Sequence, residues 1–167
     1  LLIQRLDELY TRTERWTELV ALLEDQGSAV VDDPERQATM LLRLGSVHEE
    51  RLGDVEAAIE IYGRVLNAGE ATNIDDAVGA LERLFRDSDW AEPVSLLLEP
   101  CYEARGDWKA LVRIHEAREQ STDDTVEKVR CHSRISQLYE DSGDDAAMAF
   151  EHMGLAITAR PDLKKPV

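Results

Sequence analysis

Leu6-Asp7-Glu8-Leu9-Tyr10, then Trp16, Leu19-Val20 and Glu24, decide the fold, because the pattern comes back. It returns ninety-two residues later as Leu98, Tyr102, Trp108, Leu111-Val112 and Glu116. Downstream the match continues at an offset of ninety-one. Asp32-Asp33 pairs with Asp123-Asp124, Arg43-Leu44 with Arg134-Ile135, Glu49 with Glu140, Glu60 with Glu151 and Gly63 with Gly154. A shorter relative, Leu81, Leu84-Phe85, Trp90, Val94 and Leu96-Leu97, lies between the copies. A fixed period of this kind is the mark of a stacked repeat, in which each unit buries its apolar face on the next.

Each unit reads as a pair of helices. Leu41, Leu44, Val47 and His48 recur at steps of three and four, as do Val55, Ala58, Ile59, Tyr62, Val65 and Leu66. That is the helical period, and no stretch alternates as a half-buried strand would. The spacing predicts nine helices, near 1–12, 15–30, 34–52, 54–68, 74–87, 90–105, 107–120, 124–142 and 145–159. Gly53-Asp54, Gly106-Asp107 and Gly143-Asp144 read as two-residue joints, with a left-handed Gly ending one helix and an Asp capping the next. Ser88-Asp89 is expected to cap without Gly, and Asp33-Pro34 to combine a cap with Pro at the first helical position. Leu96 to Tyr102 closes one Trp unit and opens the next, so one helix is expected to serve two pairs. Pro100 inside it is expected to bend it. The fold class that follows is an all-α solenoid of antiparallel helix pairs. It spans 1–167 as one domain, with units near 1–33, 34–73, 74–122 (three helices) and 123–161.

These residues resemble tetratricopeptide repeats. Leu44-Gly45 stands at the family's Leu-Gly place, Ala58 where the two helices cross and Tyr62 at the aromatic place, provided the turn Arg51-Leu52-Gly53 holds one extra residue. Leu41, His48 and Glu70 replace the family's Trp, Tyr and Pro. The second copy has Ile135, Ser136, Tyr139, Ala149, Ala156 and Pro161 at the corresponding places. The resemblance covers about 38–70 and 129–161, and the Trp units are looser relatives. It implies a right-handed superhelix whose first helices line a concave face, and a non-catalytic scaffold that binds a protein or peptide segment there. Counted from the Leu-Gly anchor, that face would hold Thr39, Leu42, Ser46 and Glu49 in one repeat and Arg130, Ser133, Gln137 and Glu140 in the other. Those residues suit a segment with an apolar anchor at Leu42 and a basic end near Glu49 and Glu140. The family's Asn-and-Lys clamp for a C-terminal carboxylate is missing, since Leu42, Ser46, Ser133 and Gln137 occupy the groove places. A structural spacer within a longer array, or an accessory domain of an enzyme whose chemistry lies elsewhere, are the alternatives.

Composition narrows the classes further. Hydrophobic residues are 43% and charged residues 32% of the 167, the balance of a soluble folder. A formal net charge of −16 argues against nucleic acid as partner and favours a basic one. No apolar run is long enough for a membrane span, so no membrane insertion is expected. Two cysteines, Cys101 and Cys131, cannot make a disulfide framework or a four-cysteine zinc site. His48, His115, His132 and His152 form no metal-binding spacing, and His48 reads as a packed, hydrogen-bonded ring. Cys131 beside His132 could suggest a nucleophile, but neighbours on a helix point about 100° apart. Cys131 reads instead as buried. Asp141, Asp144 and Asp145, and Asp87 with Asp89, lack the order of a calcium loop and read as caps. Trp16, Trp90 and Trp108 read as core wedges. No nucleotide-binding or hydrolase motif occurs, so no cofactor, metal or catalytic residue is expected. Fifteen Arg against four Lys points to a GC-rich, bacterial genome. The chain opens without Met and ends Lys164-Lys165-Pro166-Val167, which reads as a fragment of a longer, cytoplasmic protein of undetermined oligomeric state.

Overall fold

The computed structural model describes residues 2–29, 33–68, 71–86, 88–143 and 145–159. Asp32, Glu70, Asp87, Asp144, Pro161 and the tail Lys164-Lys165-Pro166-Val167 lie outside them. The described residues are helical apart from short joints, with no strand among them. Nine α-helices follow in order: α1 (Leu2–Arg12), α2 (Trp16–Ala29), α3 (Pro34–Val47), α4 (Val55–Ala68), α5 (Ala71–Leu84), α6 (Ala91–Arg105), α7 (Trp108–Ser121), α8 (Thr125–Leu138) and α9 (Ala146–Ala159). The chain gathers into two compact units, Leu1–Glu82 and Arg83–Val167.

In the first unit α1 packs on α2, α2 on α3 and α3 on α4. Its core joins Leu19 and Leu23 of α2, Leu41 and Leu44 of α3, Ile61 and Val65 of α4, and Ala77 of α5. Tyr10 and Trp16 border it half-buried. In the second unit α6 packs on α7, α7 on α8 and α8 on α9. Leu98 and Tyr102, Leu111 and Ile114, Cys131 and Ile135, and Ala149 and Ala156 are buried there. Trp108 is half-buried and meets the Tyr139 ring edge-on, with centroids 5.7 Å apart.

Three helix starts are capped as the sequence suggests. Asp33 accepts from the Arg36 amide at 3.1 Å with Pro34 following, Asp54 from Ala57 at 3.2 Å and Asp107 from Ala110 at 3.0 Å. Each side chain satisfies an amide that the helix leaves unpaired. Gly53 and Gly106 are left-handed, at φ 68° and 65°. Two joints differ from expectation. Gly143 is not left-handed, and Asp145 caps α9 through the Met148 amide at 3.1 Å. What Gly143 supplies is room: a Cβ there would lie 3.1 Å from the Tyr139 ring and 3.2 Å from Trp108. Trp90, and not Asp89, stands at the N-cap place of α6. A 3-10 turn, Ser88–Trp90, leads in, and Trp90 at the cap makes no side-chain bond.

The third helix of each half ends differently from a plain α-helix. Residues 48–52 and 139–143 form π turns, where unbroken α-helix to 52 and 142 was expected. A π turn holds one residue more than an α turn. The Gly53 amide closes the first of these turns on the His48 carbonyl. The fifth helix starts at Ala71, three residues before the expected start. Pro100 lies within α6 on an exposed position.

The crossing places are tightly built. Ala58 is fully buried and Ala149 nearly so. A Cβ on Gly45 would stand 2.5 Å from the Tyr62 ring, which is why only Gly fits. In the second half Ser136 holds that place, and its hydroxyl donates to the Ala149 carbonyl at 2.7 Å.

Candidate functional site

The four residues expected on a concave face in the first half lie along α3 and its π turn. Thr39 is exposed, and its hydroxyl donates to the Glu35 carbonyl at 2.9 Å. Ser46 donates to the Arg43 carbonyl at 2.9 Å. Both hydroxyls therefore serve their own helix. Leu42 is half-buried against the core of its unit. Glu49 accepts the Tyr62 hydroxyl at 2.7 Å. That bond gives Glu49 an internal role, tying the π turn to α4.

The matching set in the second half is more open. Arg130 is 75% exposed and makes one 3.4 Å contact with Glu127. Ser133 is half-buried, Gln137 is exposed and accepts from Arg134 at 3.2 Å, and Glu140 is exposed in the π turn. Arg130 stands at the mouth of a cleft of about 260 Å³ between α6, α7 and α8.

The rest of that cleft is a charged network which the motif search passed over. Arg118 donates to Glu99 at 2.9 Å and to Glu127. His115 holds its Nε2 3.3 Å from the Glu99 carboxylate. His115 Nδ1 and Arg118 Nε are buried without hydrogen-bond partners. Burial pushes the pKa of His115 down, against the pull of Glu99. Burial also pushes Cys131, on the cleft wall, up to about 11, so its thiol stays protonated at neutral pH. Leu96 stands 54% exposed at the rim. The signal was present in the repeat. His115 takes the place of the buried Leu23, and Arg118 that of the buried Gln26. A charged or titratable residue at a core position of the other copy marks where the two halves diverge in use.

A second departure lies across α8 and α9. His132 Nδ1 and His152 Nδ1 are 3.3 Å apart. These residues replace Leu41 and Ile61, which share the core of the first half. His48 lacks the hydrogen bond expected of it: its Nδ1 is buried without one and stands 3.6 Å from Asp54. Among the described residues no three His, Cys, Asp or Glu side chains group so as to hold a metal ion. No helix among them is long and apolar enough to cross a membrane. No family model, curated protein or solved structure matches the chain.

Proposed function

We propose that the chain is a non-catalytic protein–protein interaction module, a right-handed tetratricopeptide-like solenoid of antiparallel helix pairs that binds a protein or peptide segment on its first-helix faces. One observation carries the reading: the two halves repeat the same contact while their outward residues differ. Arg43 reaches from α3 to Asp7 at 3.4 Å and Thr11 at 3.1 Å on α1. Its counterpart Arg134 reaches from α8 to Glu103 at 2.7 Å on α6, where Glu103 stands at the Thr11 place. A conserved frame with a varied surface is how repeat proteins generate binding faces. The acidic balance steers a basic partner, with Glu140 the more open of the two expected carboxylates and Arg130, back along α8 towards its start, as a local exception. Exposed charges speed encounter more than they hold a complex, so affinity falls with salt.

A pull-down from native extract tests this. Wild type is compared with a Thr39→Arg, Arg130→Glu, Glu140→Lys variant that matches it in helical dichroism. These three side chains are exposed, so the fold is expected to survive. Loss of partners in the variant supports the reading. Retention of every partner at wild-type strength removes these faces as the binding surface and turns the reading towards a structural spacer.

A further inference from the structure

Helices α8 and α9 approach closely, and they do so through small side chains. Only Ala149, His152 and Ala156 of α9 are buried, and two of the three are alanines. Polar links across the contact include the Ser136–Ala149 bond and the pairing of His132 with His152. Phe150, Met153 and Ile157 point outward, 81%, 43% and 47% exposed. In α4 the same places carry Ile59 and Tyr62, both buried, and the half-buried Leu66. The face of α9 that meets α8 is therefore built of alanines around His152, which stands opposite His132 of α8.

We propose that His132 and His152 form an acid-sensitive latch, which holds α9 on α8 while the two rings share one hydrogen and releases α9 when both Nδ1 atoms carry a proton. The geometry sets the rule. At 3.3 Å one Nδ1 donates and the other accepts. A first added proton can sit on an outer Nε2 and leave that bond in place. Glu119 of α7 stands 3.8 Å from His132 Nε2 to receive it, and Lys128 of α8 partly neutralises Glu119 from 3.6 Å. A further proton has only the accepting Nδ1 to go to. It removes the bond and sets two cations face to face in a half-buried contact. The other groups around the pair do not rescue it. Tyr139 of the π turn stacks on His152, with centroids 6.0 Å apart, and burial keeps its hydroxyl protonated. Glu116 of α7 and Asp145 ahead of α9 act on Tyr139.

The direction with pH follows. Burial, with the nearby His152, lowers the pKa of His132 below 6.5, against Glu119. A released α9 therefore takes up protons that the docked form refuses. Docking is complete above pH 6.5 and weakens as pH falls below it.

Hydrogen exchange read by mass spectrometry tests the latch on the full chain, with each rate divided by the intrinsic chemical rate at that pH. Helix α2 is the internal reference. Between pH 7.5 and 5.0 we expect α9 to lose protection about tenfold or more relative to α2, the size that one proton taken up on release produces. Two variants isolate the pair. His132→Leu with His152→Ile installs the residues of the first half, and His152→Gln keeps a hydrogen-bonding side chain that cannot charge. In both, α9 protection is expected to follow α2 across the range. Wild-type α9 that follows α2 throughout, or an acid loss that persists in either folded variant, overturns the proposal.

Discussion

The first half of the molecule is apolar at three core places where the second carries histidine. Leu23, Leu41 and Ile61 of the first half are buried together with Leu19, Leu44 and Val65. At the same places the second half has His115, His132 and His152. The backbone frame barely registers the change: both halves keep an arginine bridge from third helix to first, a Gly or Ser at the crossing and a closing π turn. Helix packing at these places needs a side chain of roughly fitting volume, and imidazole meets that need almost as well as isobutyl. What changes is polarity. A buried imidazole needs a hydrogen-bond partner that leucine does not, and its protonation state couples the packing to pH.

The comparison can be broken most sharply at Tyr62 and Met153, which share a repeat place. Tyr62 is 1% exposed and bonds Glu49, whereas Met153 is 43% exposed. Tyr62→Ala should cost about 3–5 kcal/mol, as large aromatic truncations in cores do. Met153→Ala should stay within about 0.5 kcal/mol, as surface changes do. Urea unfolding of the two variants measures both, and equal losses would mean that the halves do not share this register.

Overpacking gives the next largest effect. Gly45→Ala drives a methyl into the Tyr62 ring, and Ala58→Leu enlarges a fully buried side chain. Each should cost about 1–3 kcal/mol, seen as a lower thermal midpoint. An unchanged midpoint for either would displace the crossing from where the repeat puts it. Ser136→Ala, the corresponding change in the second half, removes a buried bond to the Ala149 carbonyl rather than adding bulk. It should cost about 1 kcal/mol, and its thermal midpoint should fall less than that of Gly45→Ala.

The arginine bridges should matter least. Arg43 and Arg134 are 44% and 33% exposed. Removing either to Ala should cost about 0–1 kcal/mol, less in high salt. Denaturant curves at two salt concentrations would sharpen the point: a salt-independent loss at Arg134 alone would make that bridge part of the core rather than of the surface.

The helices and their joints were legible in the sequence because period and caps are local. Asp33, Asp54 and Asp107 each act on amides two or three residues away, so their roles can be read along the chain. The joints misread were those where tertiary packing intervenes. Gly143 looks like a left-handed stop and is instead a gap for Trp108. Before α6 the chain winds into a 3-10 turn, and Trp90 takes the cap place without a side-chain bond. The expected concave residues could be placed on a face by counting. Counting could not show that Glu49 is taken by Tyr62, since that bond joins two helices. The network of Glu99, His115, Arg118 and Glu127 escaped because its members lie on three helices and match no short motif. Asking which core places change polarity between copies would have found two of the four.

The π turns have a consequence for how such a chain can vary in length. Residues 48–52 close on themselves with a slack residue, and Leu52, 43% exposed, contributes little packing. Deleting Leu52 would let the turn tighten to ordinary α geometry, with Gly53 still stopping the helix and Asp54 still opening α4. The helices on either side would keep their phase, because the loss is taken up in winding rather than passed along the chain. The ends of α3 and α8 are thus places where a reading-frame-preserving loss of one codon can be tolerated.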